Sequence, residues 1–223
     1  MSNNDKINRD MVSYYGDSAE DYDQQMRKAA DDPRFKPSFE VATRILQETF
    51  VDHHVLEVAA GTGLWTGKIA EKAASVTATD INRPNLGIAQ RYDYPKGNVT
   101  FHVADMYALN DFPKHDALFG GFWLSHELKQ NLPQFIDTMN AYVVPGSPVV
   151  FLDTAPTSSP HGRVDEFGNR YQLRTPRDKS KHEVVKNYPT EKELRELLRG
   201  RGSNIEFAKL EHLWVLKYKT LTP

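Results

Sequence analysis

Three acids stand at regular intervals in the first half of the chain, Glu57, Asp80 and Asp105, each after a short run of apolar and β-branched residues. The first belongs to Glu57-Val58-Ala59-Ala60-Gly61-Thr62-Gly63. Gly61 and Gly63 let the backbone turn tightly and let a ligand approach the main chain closely. Asp80 follows Gly61 by 19 residues. At the end of the next strand a carboxylate accepts hydrogen bonds from the two hydroxyls of a ribose. Asp105 closes the third run, beside the first two strand ends in a doubly wound sheet and within reach of an adenine amino group. Three carboxylates so placed suit a positively charged nucleoside without phosphates.

A second constellation is Phe122-Trp123-Leu124-Ser125-His126-Glu127. His126 is the candidate general base, since its ordinary pKa of ~6.5 suits proton removal near neutrality. The plainer alternative is a histidine that packs at a helix start and bonds the backbone. Trp123 offers an aromatic face to a cation, or packs in the core. Trp65 reads more as packing than as contact.

The chain has 223 residues and no cysteine, which excludes a disulfide framework, a thiolate metal site and a cysteine nucleophile. Histidines 53, 54, 102, 115, 161 and 212 show no ligand spacing, and only Asp153 closes the fifth strand, so no metal is expected. The formal net charge of −2 gives no field for a polyanion, so nucleic acid is not an expected partner. No apolar run approaches the ~20 residues of a membrane span. A cytoplasmic protein is expected.

The elements that must hold these residues follow from periodicity. One helix is expected over Arg9–Ala30 behind a frayed start, ended by Asp31-Asp32-Pro33, and a second from Ser38 as N-cap. Strands are expected at 54–59, 75–80, 99–105, 116–121 and 148–153, with helices from Leu64 to Ala74, from Pro84 to Arg91, and around Phe135, Met139 and Tyr142. Alternation at this spacing predicts an α/β fold with a parallel sheet covered on both faces. Thr154 to Pro189 is a long polar stretch carrying Pro156, Pro160, Pro176 and Pro189, expected to be a cover or small insertion. Thr190 caps a helix through Glu193, and two closely joined strands, 204–210 and 212–220, should pair antiparallel.

Two ligand classes share the glycine-loop layout, dinucleotides and S-adenosylmethionine (SAM). The dinucleotide pattern wants a third glycine where this chain has Thr66, and Glu57 would repel a pyrophosphate. With Glu57, Gly61, Gly63, Asp80 and Asp105 in place, the chain resembles class I SAM-dependent methyltransferases of the small-molecule type, from about residue 10 to the end. Ala59 departs from the glycine usual there.

The resemblance implies a Rossmann-like sheet of seven strands in the order 3-2-1-4-5-7-6, with strand 7 antiparallel. It implies SAM as cofactor and S-adenosylhomocysteine (SAH) as product. The cofactor contacts it implies are Tyr14, Tyr15, Glu57, Ala59, Gly61, Gly63, Trp65, Asp80, Ile81, Asp105, Met106, Gly121, Phe122 and Trp123. Tyr14 and Tyr15 would lie on an N-terminal helical lid over residues 1–50, where a tyrosine hydroxyl bonds the cofactor carboxylate. The stretch 155–189 would cover the acceptor pocket with Tyr171, Arg174 and His182.

Residues 1–52 hold 7 basic and 11 acidic side chains, whereas 161–201 hold 11 basic and 7 acidic. The basic balance over the cover fits an anionic acceptor, against the plain reading of solvated charge. The expected reaction is methyl transfer to O or N of a small molecule, by a single domain acting as a monomer or homodimer. The alternatives are a nucleic-acid or protein methyltransferase and a non-catalytic SAM-binding protein. Against the nucleic-acid reading, the chain has Gly-Gly-Phe-Trp after the fourth strand and lacks a basic tail.

Overall fold

The computed structural model describes residues 3–94, 96–156, 161–175 and 181–222, with side chains from residue 10 onward. Met1, Ser2, Pro160 and Pro176, which entered the readings above, lie outside the described residues.

Seven strands form the main sheet. They are β1 (His54–Val58), β2 (Ser75–Asp80), β3 (Val99–Val103), β4 (Ala117–Gly121), β5 (Pro148–Thr154) and, after an insertion described below, the C-terminal pair Gly202–Lys209 and Leu213–Thr220. Counting those seven in chain order, they lie 3-2-1-4-5-7-6. The first five run parallel, and the last is antiparallel to β5. The strand order matches the sequence expectation.

Alternation along each strand builds a core on each face. Leu56 and Val58 of β1, and Val149 and Phe151 of β5, face one side with Phe135, Ile136 and Met139 of the helix Leu132–Ala141. Val55, Val150 and Leu152 face the other, with Ala42, Leu46 and Phe50 of the helix Lys36–Phe50. Burying a side chain of this size contributes about 1.5–3 kcal/mol.

Several boundaries differ from expectation. The single N-terminal helix is two, α1 (Asn3–Asp17) and α2 (Ala19–Asp31), and the helix begins at Asn3 where a frayed end was expected. The break is at Ser18, whose hydroxyl bonds back to the Tyr14 carbonyl at 2.5 Å. Such back-bonding bends a helix. The next helix, α3, starts at Lys36 with Pro37 in its first turn, so Ser38 is not its cap. The Ser38 hydroxyl instead accepts from the His212 amide at 3.3 Å. The helix after the glycine loop, α4 (Leu64–Ala70), stops short of Ala74. The Asn98 side-chain amide takes the free carbonyls of Ala70 and Ala73. The fifth helix, α5, spans Arg83–Ala89, and α6 is Leu132–Ala141.

The polar stretch after β5 is not structureless. It holds β6 (Arg163–Val164), β7 (Arg170–Arg174) and β8 (His182–Val185), paired antiparallel in a separate sheet. Tyr171, Val184 and Val185 of this sheet pack against Met11 of α1, with Tyr14 alongside. The insertion and the first helix thus form one apolar cluster beyond the ends of the main strands. Helix α7 (Glu191–Leu197) carries the expected capping box of Thr190 and Glu193. The last two strands become β9 and β10.

Candidate active site

A cavity of about 600 Å³ opens where the main strands end. The residues just past β1 (Ala59), closing β2 (Asp80), closing β4 (Gly121) and closing β5 (Thr154) all line it. A smaller pocket of about 40 Å³ adjoins it and shares Ala59, Gly61, Gly121 and Phe122. In open α/β sheets ligands bind outside these carboxyl ends.

The first half of the site is the glycine loop. Gly61 has φ +58, and nothing lies within 4 Å of where its Cβ would stand, so the loop presents bare backbone to the cavity. Its amide donates to Asp80 Oδ2 at 2.8 Å, and the Asn82 amide donates to Oδ1 at 2.7 Å. Asp80 therefore fixes the loop as well as facing the cavity. Burial nevertheless raises its pKa, against those two amide bonds. Gly63 plays another part. It sits at φ +79 with its α-carbon against Tyr94 and Ala89, lines neither pocket, and closes the turn into α4. Ala59 (φ 50) and Phe122 (φ 58) are non-glycine residues in the left-handed region, and both line the cavity. Strain of this kind collects where surrounding structure enforces a binding geometry.

Glu57 and Trp65 line the small pocket. Burial pushes the Glu57 carboxyl up to about 8. Its Oε2 is buried with no hydrogen-bond partner, as are Trp65 Nε1 and Asn85 Oδ1. Orphaned buried polar atoms are costly. The acidic Glu57 oxygen therefore calls for a donor from a ligand.

The second half is built around His126, which ends a short 3-10 turn, Leu124–His126, after β4. Its Nδ1 lies 2.5 Å from the Val185 carbonyl. A carbonyl only accepts, so Nδ1 carries the proton and Nε2 holds the lone pair. The Tyr15 hydroxyl donates to that Nε2 at 2.9 Å. Burial and the nearby Lys186 cation hold the imidazole well below its usual pKa, so it is neutral across the ordinary range. The Lys186 ammonium is itself buried, donating to Asp153 Oδ1 at 2.9 Å and Ser125 Oγ at 2.7 Å. The Asn187 amide reaches Ser125 O, and its side chain reaches Glu127 O. The strand β8 and its continuation thus clamp the whole turn.

Glu127 accepts from Trp123 Nε1 at 2.7 Å and from the Tyr107 hydroxyl. Burial raises its pKa. These bonds hold the Trp123 ring along the cavity wall.

Of the residues singled out from sequence, Tyr14, Tyr15, Ala59, Gly61, Asp80, Ile81, Asp105, Met106, Gly121, Phe122, Trp123, His126 and Arg174 line the large cavity. Asp105 lies two residues beyond the end of β3, in a turn where its Oδ1 accepts from the Tyr107 amide. Tyr171 and His182 line neither pocket. Tyr171 is buried against Met11, with its hydroxyl on Asp165 Oδ2 at 2.9 Å. The His182 ring stands 5.7 Å from that of Tyr14. Tyr22, Asn85, Tyr107, Glu127, Lys186 and Tyr188 also line the cavity. Among them only Tyr22 left a usable trace in the sequence, one face of a helix shared with Tyr15. No cluster of metal-ligating side chains occurs among the described residues.

Residues 55–146 match the family model for a methyltransferase domain. Over these residues the chain is similar to a methyltransferase domain. The matched stretch spans the glycine loop, the three acids Glu57, Asp80 and Asp105, and the turn bearing His126. The chain is similar in structure to DhpI, solved with SAM and HEP, at 25% identity and a TM-score of 0.79, covering 96% of this chain and 97% of that one. A DhpI structure with SAH gives 24% identity and a TM-score of 0.78, over 97% and 98% of the two chains. The 1,6-didemethyltoxoflavin-N1-methyltransferase of Burkholderia thailandensis gives 17% identity and a TM-score of 0.65, over 100% and 92%. No curated protein sequence matches the chain. The methyltransferase fold thus extends beyond the matched domain to the N-terminal helices and the insertion.

Proposed function

We propose that this protein transfers a methyl group from SAM to an O or N atom of a small-molecule acceptor and releases SAH. The observation that carries this reading is one cavity with two chemically distinct ends. At one, bare glycine backbone, Asp80 and Asp105 line the cavity, with the orphaned Glu57 oxygen in the pocket beside it. At the other stands a neutral histidine with its lone pair directed inward.

The glycine-loop end fits SAM. Asp80 would take the ribose hydroxyls, Asp105 the adenine amine, and Glu57 the cationic methionyl end. Phe122 and Trp123 add aromatic faces that favour a cation. Bound there, SAM supplies a methyl group already activated on a sulfonium.

The chain must then align the acceptor and take its proton. Alignment of this kind is worth ~7–11 kcal/mol in favourable cases. Tyr15 lines the cavity, and its Oη is already bonded to His126 Nε2. As the acceptor atom becomes acidic in forming its new bond, Tyr15 Oη takes that proton and passes its own to Nε2. A weak base suffices, because the developing oxonium or ammonium is far more acidic than the free acceptor. In this reading the chain is a single domain. Residues 1–50 act as a lid over the cofactor, and 155–189 cover the acceptor. Met11, Tyr14, Tyr15 and Tyr22 from the helices, and Arg174, Lys186 and Tyr188 from the insertion, face the cavity.

Calorimetry should show SAH binding, and a mass-spectrometric screen of small molecules should reveal a product heavier by one CH₂. NADH binding without SAH binding would overturn the cofactor assignment. SAH binding with no methylated product would favour a non-catalytic role.

A further inference from the structure

Two cationic side chains, Arg174 and Lys186, line the His126 end of the cavity, and they differ in kind. Lys186 is neutralised by Asp153 at 2.9 Å. Arg174, at the end of β7, pairs with no carboxylate among the described residues, and its Nε is buried without a hydrogen-bond partner. Of the neighbouring groups, His126 is neutral, and the Glu127 carboxyl is already engaged by Trp123 and Tyr107 rather than by Arg174. Arg174 is half-buried with its Nε orphaned, and the planar fork of a guanidinium matches an oxyanion.

The side of the cavity is also defined. Arg174 is the register partner of His182, whose ring stands 5.7 Å from that of Tyr14, the neighbour of the Tyr15 that bonds His126. Arg174 therefore belongs to the acceptor end.

We infer that the acceptor carries an oxyanion, a carboxylate or the acid group of a phosphorus or sulfur compound, and that Arg174 receives it. The inference rests on the methyl-transfer reading above. Holding the anion at Arg174 would fix the distance from the charged group of the acceptor to the Tyr15 hydroxyl. Small hydroxy acids and amino acids are then the substrate class, and neutral alcohols and amines are excluded.

The test needs no known substrate. SAH-saturated protein is titrated with inorganic phosphate, and in a second arm with acetate. Backbone amide resonances of cavity residues, Tyr15 and Trp123 among them, report binding in the wild type and in both variants. A saturating shift from either anion is expected, with Arg174→Gln weakening the anion by about tenfold or more and Arg174→Lys retaining part of it. SAH affinity should hold within about threefold in both variants, which also shows that they fold. The inference is overturned if neither anion gives a saturating shift, if Arg174→Gln leaves anion binding unchanged, or if SAH displaces the anion. The last result would assign Arg174 to the cofactor carboxylate. Failure of the wild type to bind SAH at all would instead defeat the methyltransferase reading, and this inference with it.

Discussion

The Tyr15 hydroxyl donates to His126 Nε2 at 2.9 Å, joining two residues 111 positions apart. One comes from the first helix and the other from the turn after β4. The helix that covers the cavity therefore also occupies the lone pair of the candidate base. From sequence, a hydroxyl of Tyr14 or Tyr15 was expected to bond the cofactor carboxylate; the structure adds a bond from Tyr15 to the imidazole.

Replacing Tyr15 by Phe keeps the ring and removes the relay. Turnover should fall by about 10²-fold, within the range for losing a positioned proton acceptor. SAH affinity by calorimetry should change little. Strongly weakened SAH binding with unchanged turnover would return Tyr15 to the cofactor.

Glu57 makes cofactor binding depend on pH. Its carboxyl is raised to about 8, so it is protonated at neutrality in the free protein. A cationic ligand binds the ionised form, so SAH binding should release a proton below pH 8 and tighten as pH rises towards 8. Calorimetry in buffers of differing ionisation heat reads the release directly. Glu57→Gln should abolish it. The same shift has the opposite sign for the free protein, which loses stability as pH rises from the unfolded value of 4.5 towards 8.

His126 shapes the acid side. Its folded pKa lies below the ordinary imidazole value of 6.5, so the unfolded chain binds the extra proton first. Stability should therefore drop as pH falls below 6.5, and the acid limb of kcat/KM should lie well under that value. Melting curves at successive pH values for the wild type and His126→Gln check this, the variant losing that part of the slope. An acid limb at the ordinary histidine pKa would contradict the buried, neutral state.

Ala59 holds φ 50, where an L-residue is strained. Ala59→Gly relieves a conformation costing about 1–2 kcal/mol. It also removes a methyl group from the cavity wall. The variant should melt higher and bind SAH more tightly. A lower melting point would mean that the added freedom of glycine in the unfolded chain outweighs the relief.

The sheet was legible because the core strands are short apolar runs buried on both faces, with Val55 and Val58 on opposite sides, spaced by helices, and because the glycine loop follows β1 directly. The cofactor end was legible for the same reason: strand ends can be counted. The acceptor end was not. Lys186 stood out only as one of many charges, since nothing local shows that it would reach Asp153, 33 residues away, in a buried pair. Tyr171 looked like a pocket residue because its stretch lies between the fifth strand and the last helix, yet it forms the packing between β7 and α1. The break at Ser18 was hidden because the helical period continues across it.

The Val185 carbonyl, accepting from His126 Nδ1, sets its tautomer, and donation from Lys186 and Asn187 holds the turn that carries it. The insertion is therefore not an interchangeable accessory. Recombining 155–189 with the same stretch of a relative would exchange the proton affinity of the base together with the wall that faces the acceptor. In such a lineage, a new substrate and a new pH optimum would be inherited as one trait.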